Sequence, residues 1–462
     1  MADSPWTGDA CSLVDAFRAG ERSPLEELDA TLAAIEASEL NAFSHLDPER
    51  ARETAAGADV SLPFGGLPIG VKELEPVEGW PATHASLVFK DAVGDHDGLQ
   101  VTRLRAAGVV PVGMTTASEF GGLNVSATKL NGVTGNAWDP TRTAGGSSSG
   151  SAAAVAGGLL TLATGGDGGG SIRIPAGFNG LPGMKGTAGR IPRGPRTEIA
   201  PLTVVLGCLS RSVRDIARYY DVTAGFDHRD PYSLAKEQGW EARLGTHDLR
   251  GKKAVLAPDL GIAVVRPEVE AMVRAAGEQL AADAGLVLVD VPVELPGLGL
   301  EWAMSNLVQL MSLLEDHYPD CKDDLTMEIA FGLEIATQVY DLKLAAKAEQ
   351  ARTAANEAMA AVFDQVDFII CATNPDVAFP AEVTMNLQVG DQQVGVENNG
   401  VLTIPANIVG NPAVSVPVGT VDGLPVGMQV IGRHLQDALL LDLALTVERE
   451  RPWAAPAPGT PR

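Results

Sequence analysis

The chain has 462 residues, 45% of them hydrophobic but only 5% aromatic, and a formal net charge of −25. Such a chain can bury a large core as one big domain or two, and its 51 glycines with few aromatic residues favour packed α/β layers over a β-sandwich. Phosphates would repel so acidic a surface, which makes nucleic acid and anionic membranes poor partners; the charge reads first as a well-solvated exterior.

In chain order, Met1-Ala2-Asp3-Ser4-Pro5 lacks the basic-then-apolar pattern of an export signal. Cys11, Cys208, Cys321 and Cys371 are far apart and form no CxxC pair. Disulfide frameworks and Cys-type zinc sites are therefore not expected, and a reduced cytoplasm is. Ser23-Pro24-Leu25-Glu26 predicts a helix start, with Ser23 and Glu26 forming a capping box and Pro24 in the first turn. Leu67–Lys72 predicts a short strand or turn ending in a lysine. Val101–Ala107 predicts a helix and Gly108–Gly113 the strand after it. Ala152–Ala156 predicts a small buried helix stopped by Gly157-Gly158, followed by a strand over Leu159–Thr164. The apolar run Ala152–Thr164 is too short and too broken to span a membrane.

Residues 184–235, rich in Gly, Pro and Arg, predict loops followed by a helix near Val213–Thr223. Residues 253–290 predict strand, helix, strand, and 298–363 a mostly helical stretch. Asp367–Cys371 and Gly423–Gly432 predict buried strands, and the Pro-Ala tail after Trp453 a loose end. There are no internal repeats.

The chemistry concentrates in residues 145–175, where two glycine-serine loops, Gly145–Gly150 and Gly165–Ser171, bracket one apolar segment. Four readings compete. Gly145–Gly150 approaches the GxSxG nucleophile elbow, but the turn-like Trp138–Thr143 before it is no core strand, and His228, His247, His317 and His434 stand in no recognisable motif. The loops could cradle phosphate, yet neither GxxxxGK[ST] nor the context of GxGxxG is present. They could be purely structural, or belong to a binding protein. Or Lys72 could be the base. A lone lysine is by default solvated, but this one follows the apolar Pro68-Ile69-Gly70-Val71. Burial lowers a lysine's pKa, and a neutral lysine can serve a serine nucleophile.

Six segments carry a resemblance. They are Gly66–Lys72, Trp138–Ser148, Asp167–Pro175, Gly183–Arg190 and, near the C-terminus, Gly410–Ala413 with Gly423–Gln429. Together they resemble the amidase signature family, with matches from about Ser23 to Gly194 and again from about Phe368 to Trp453. The resemblance implies an α/β fold with a large mixed central sheet surrounded by helices, over residues 1–462 as one domain. Residues 1–60 would form N-terminal helices, and about 235–365 a variable helical insert lining the substrate pocket.

The resemblance further implies a Ser–cisSer–Lys triad of Lys72, Ser147 and Ser171, with a cis Gly146–Ser147 peptide. Ser171 would be the nucleophile, Ser147 the proton bridge and Lys72 the base. The N–H groups of Gly168, Gly169, Gly170 and Ser171 would form the oxyanion nest. Ser148 and Asp167 would hold the loops through hydrogen bonds, and Arg173 would brace the scaffold, as would Thr143. His84 and His96, close to Lys72 in sequence, read as surface or satisfied histidines. Two positions depart from the family pattern. Ser149 stands where the family usually has glycine, and Gly168 stands where it often has a hydroxyl.

The implied activity is hydrolysis of C–N bonds in amides, with anilides, esters and carbamates (urethanes) compatible, through a seryl acyl-enzyme. No cofactor or metal is implied. The expected partner is a small-molecule amide, ester or carbamate, with a homodimer compatible. A glutaminase subunit of a tRNA-dependent amidotransferase is the alternative within the family, and it would require a partner subunit and an ammonia channel. Trp302, Met304, Leu307, Leu310, Met311 and Leu314 could wall an apolar pocket, although such helical spacing also suits plain core. Residues Phe120–Val125 could form another wall.

Overall fold

A computed structural model describes residues 4–196 and 203–461. Residues 1–3, where the export-signal reading begins, 197–202 within the expected loops at 184–235, and 462 lie outside the described residues. Eleven strands form one mixed sheet. Their spatial order is Phe43–Leu46, Val110–Thr115, Pro68–Lys72, Leu162–Asp167, Val205–Ser210, Gly183–Lys185, Ala413–Val421, Leu424–Gly432, Phe368–Ala372, Lys253–Leu256 and Val287–Leu288. Thirteen α-helices accompany the sheet among the described residues. This is the mixed central sheet with surrounding helices that the resemblance implies. No helix among them is long and apolar enough to cross a membrane.

The sheet's internal order places the site. Pro68–Lys72 runs parallel to Val110–Thr115 on one side and to Leu162–Asp167 on the other, with Gly70 opposite Ala163. Lys72 and Asp167 therefore end neighbouring parallel strands at the same sheet edge, where ligands of α/β proteins commonly bind.

The helix joining the two loops spans Ser149–Ala156 and is buried at all eight positions. Serine, glycine and alanine make this feasible, because their small side chains let it lie close to the sheet. Its polar atoms are paired: Ser151 Oγ donates to Thr164 O at 2.8 Å, and the Gly150 N–H to Thr116 O at 2.9 Å. The capping box at Ser23 and Glu26 is formed on both sides, and Pro24 is in the first turn of Pro24–Ala37.

Several expectations shift. The helix near 101–107 runs Leu99–Ala106, and the strand after Gly157-Gly158 starts later, at Leu162, and continues to Asp167. In the stretch 184–235 the expected helix is present at Val213–Thr223, but the part before it is not loops alone. Strand Gly183–Lys185 enters it and strand Val205–Ser210 lies within it, in the middle of the sheet. A strand buried on both faces shows no polar–apolar alternation to betray it. Ala413–Val421, which pairs with the expected C-terminal strand, is a further strand beyond those expected from the sequence. The tail after Trp453 is not loose. The Trp453 indole N–H donates to Arg211 O at 3.1 Å, and the Ala457 N–H to Ala156 O at 2.8 Å.

Candidate active site

Lys72, at the end of its strand, is 3% exposed and aims its ammonium nitrogen into the gap between the two loops. Nζ lies 2.8 Å from Ser147 Oγ and 3.2 Å from Gly166 O. Burial pushes its pKa down to about 8, because the charged form is desolvated; Glu75, Asp167 and Glu73 pull it back upward. Glu75 is itself pushed up to about 7 by burial, against the opposing pull of Gln100, Thr164 and Lys72. A lysine of this kind is partly neutral near pH 8 and can accept the proton of the hydroxyl it touches.

Ser147 follows a cis Gly146–Ser147 peptide and is 2% exposed. A side chain at Gly146 would collide with the Asn124–Val125 backbone, so this loop sits tightly against residues 123–125. The neighbouring hydroxyls are engaged by backbone groups. Ser148 Oγ meets Gly166 O and the Gly166 N–H, both at 3.4 Å, and the Ser148 N–H donates to Ser171 O at 3.3 Å. Ser149 Oγ donates back to Gly145 O. The departure at Ser149 thus ties the loop to its own helix. Thr143 Oγ1 accepts from the Gly145 N–H at 3.0 Å.

The second loop is organised around Asp167, which is fully buried. Its Oδ1 accepts the Gly170 N–H at 2.8 Å, and its Oδ2 the Ile172 N–H at 3.2 Å. Arg173, also fully buried, donates Nε and Nη2 to the two carboxylate oxygens at 2.9 Å each, and Asn407 adds a bond at 2.8 Å. Burial alone would raise the Asp167 pKa, but Arg173, Lys185 and Asn407 hold it below the usual carboxylate range. Arg173 continues to Gln429 Oε1 at 2.5 Å, Thr403 O at 3.0 Å and Asn407 Oδ1 at 2.6 Å.

Replacing Arg173 with Met should therefore cost about 3–5 kcal/mol of stability by leaving a buried carboxylate unpaired. Urea unfolding measures this, and a loss below about 1 kcal/mol would mean that the carboxylate finds other partners.

Asp167 also narrows the expected nest. The Gly170 N–H already serves its carboxylate and is not free for an oxyanion. The N–H groups of Gly168, Gly169 and Ser171 have no acceptor among the described residues. Gly170 keeps a structural reason to be glycine: its φ is +127°, and a side chain there would run into the Thr403 hydroxyl.

A cavity of about 340 Å³ opens on this loop. Gly121–Asn124, Gly146, Gly169 and Ser171 line one part, and Gly299, Leu300, Trp302, Ala303, Met385, Val396 and Ile404 much of the rest. At 9% exposure Ser171 is the most open of the three expected residues and the only one on the cavity wall. Its hydroxyl makes no hydrogen bond among the described residues. The structure thus brings Lys72 and Ser147 into direct contact and sets Ser171 beside them at the cavity, with no Ser147–Ser171 hydrogen bond in this state.

Of the six wall candidates on the helix Gly299–Leu313 and just after it, Trp302 alone lines the cavity. Leu310 and Leu314 lie in a separate apolar cluster, with Leu307 and Met311 packed against it, and Met304 is buried. Among the described residues no histidine lines the cavity. His84 stacks on Phe120 and meets Phe89 edge-on, and His96 pairs with Asp95 at 2.5 Å.

Thr403, Asn407 and the bridging part of Trp302 carry no signal in the sequence. Thr403 and Asn407 flank and enter a six-residue helix, Ile404–Val409, with no local motif around them. Their role emerges only where that helix meets the second loop.

The amidase family model matches residues 26–441. The chain is 33% identical over 488 residues to a glutamyl-tRNA(Gln) amidotransferase subunit of Lacticaseibacillus paracasei, covering 97% of this chain and 98% of the relative. It is 32% identical over 476 residues to the corresponding protein of Chloroflexus aurantiacus, covering 96% of each. Among solved structures, a bacterial aryl acylamidase of the amidase signature enzymes superimposes with a TM-score of 0.90 at 25% identity, over 96% of both chains. The 6-aminohexanoate cyclic dimer hydrolase complexed with substrate does so with a TM-score of 0.88 at 28% identity, over 98% of this chain and 99% of that one.

Proposed function

The chain belongs to the amidase signature family and is an amidohydrolase of carbon–nitrogen bonds; from that premise we propose that it cleaves uncharged amides with an apolar acyl or aryl group, through Ser171, Ser147 and Lys72. The observation that carries the reading is the 2.8 Å contact between the buried Lys72 amine and Ser147, beside a cavity onto which Ser171 opens.

Ser171 Oγ forms a bond to the substrate carbonyl carbon as its proton passes to Ser147, and Ser147 passes its own proton to neutral Lys72. The carbonyl oxygen becomes an oxyanion facing the N–H groups of Gly168, Gly169 and Ser171. Collapse of the tetrahedral intermediate breaks the C–N bond, and Ser147 returns a proton to the departing nitrogen. Water, deprotonated by the same relay, then attacks the acyl-enzyme and releases the acid. A carbamate can follow the same route, and any carbamic acid it releases loses CO₂. Ser148, Asp167 and Arg173 act by holding the loops.

The wall supports an apolar substrate. Leu300, Trp302, Ala303, Met385, Val396 and Ile404 provide it, and among the described residues its one charged side chain is the carboxylate of Glu397. Glutamine would bring an α-carboxylate that finds no cation on this wall. The similarity to a structure named an aryl acylamidase supports the aryl part of this reading. The amidotransferase relatives keep the glutaminase reading alive, because their names describe one part of an assembly.

A panel of p-nitroanilides, primary amides, esters, carbamates and free glutamine, given to the chain alone, separates the two. Apolar anilides or carbamates should turn over and glutamine should not. Glutamine hydrolysis exceeding every apolar substrate would overturn the proposal.

A further inference from the structure

The amides that face the substrate carbonyl belong to peptide units whose other ends are tied down. In a trans peptide the C=O and the following N–H point in opposite directions, so holding the carbonyl aims the amide. The Gly170 carbonyl accepts the Ile174 N–H at 2.7 Å, which fixes the plane carrying the Ser171 N–H. The Gly169 carbonyl accepts the Thr403 hydroxyl at 2.6 Å, which fixes the plane whose N–H serves Asp167. The Gly168 carbonyl accepts the indole N–H of Trp302 at 2.8 Å, and that plane carries the Gly169 N–H. The first two ties come from the start of the helix Arg173–Asn179 and from the edge of the helix Ile404–Val409. The third comes from the wall of the substrate cavity.

Trp302 does two things at once. Its ring lines the cavity together with Gly169 and Ser171, and a Cβ on Gly169 would stand only 2.7 Å from ring atom Cζ2. Ring and loop are therefore in close contact as well as hydrogen-bonded. The tryptophan is anchored through its backbone: the backbone N–H donates to Leu298 O at 3.0 Å, and the backbone carbonyl accepts the Asn306 side-chain amide at 2.7 Å.

We propose that Trp302 is a positioning residue that aims the Gly169 N–H at the oxyanion, and that the same indole, as a wall of the cavity, links the fit of the substrate to stabilisation of the transition state. The inference rests on Ser171 being the nucleophile. It also gives the departure at Gly168 a physical reading. Where the family often carries a hydroxyl, this chain has none, and the peptide is steadied from across the cavity by a ring N–H.

Trp302→Phe keeps an aromatic wall and removes the donor. Complete loss of an oxyanion donor costs about 10²–10³-fold in rate, so a misaimed one should lower kcat by about 10–100-fold. KM for an apolar anilide should stay within about threefold, because ground-state packing is retained. A trifluoromethyl ketone, which forms a hemiketal oxyanion on the serine, should weaken by the same factor as kcat/KM, whereas the unreactive alcohol analogue should bind unchanged. A rise in KM with kcat intact would reduce Trp302 to a wall. A fall in kcat with unchanged ketone affinity would also overturn the inference. If the phenylalanine variant does not fold, replacing the indole by benzothiophene keeps the shape and tests the N–H alone. The underlying reading has its own control: activity surviving in Ser171→Ala would sink the nucleophile assignment, whereas an inactive Ser171→Ala beside a fully active Trp302→Phe would sink only the role of Trp302.

Discussion

Ser171→Ala should lower amide hydrolysis by at least about 10⁴-fold, and by up to about 10⁶-fold if no water can take the place of the hydroxyl. The expectation follows from position. Ser171 alone of the three residues opens onto the cavity, and the amides of Gly168, Gly169 and Ser171 itself have no acceptor among the described residues. Its hydroxyl holds no other group among the described residues, so its removal leaves no buried donor or acceptor stranded. Stability should therefore change by less than about 1 kcal/mol. Kinetics and thermal unfolding of the same preparation check both halves, and mass spectrometry of the wild type with a slow ester should show an acyl adduct that the variant lacks. A variant retaining a tenth of the wild-type rate would place the nucleophile elsewhere.

Lys72→Met should lower the rate at neutral pH by about 10²–10⁴-fold, the range for loss of a general base. The pH profile makes the test sharper. Only the neutral amine can take a proton, and burial brings the Lys72 pKa down to about 8. Wild-type kcat/KM should therefore rise with pH and level off above about 8, and this limb should vanish in the variant. A limb near pH 8 that survives Lys72→Met would assign the titration to another group.

Stability carries the same signature. Between the folded value of about 8 and the ordinary 10.5, the unfolded chain binds a proton that the folded chain has released. Unfolding free energy attributable to Lys72 thus increases with pH across that window. Relative to Lys72→Met, the wild type should gain stability from pH 8 to 10.5. Lys185, also buried and lowered to about 7, is common to both proteins and cancels in the difference.

What can be read in the sequence are features encoded by neighbours. The Ser23 capping box, the strand ending at Lys72 and the buried alanine helix each depend on residues within a few positions. The Lys72–Ser147 contact, by contrast, joins residues distant in the chain. It is legible only in the order of a lysine and two serine loops in a family pattern, not in any local physics. Val205–Ser210 escapes because a central strand among glycines and prolines carries neither alternation nor length. The commitment of the Gly170 N–H escapes because it depends on how one carboxylate is turned by Arg173 and Asn407. Trp302 is visible as an apolar residue at helical spacing. That pattern describes Leu310 and Leu314 correctly as core and says nothing about an indole N–H reaching Gly168.

The cavity wall has a consequence for how such a protein can change. Leu300, Met385 and Val396 line it and are yet 58%, 38% and 55% exposed, so replacing them removes little packing. They form a mutable lip through which substrate range can drift, by natural selection or in a laboratory library, while folding is left almost untouched. The floor of glycines has no such latitude, because it presses directly on backbone and ring. New specificities in this scaffold should accumulate at the lip first, with the catalytic floor inherited whole.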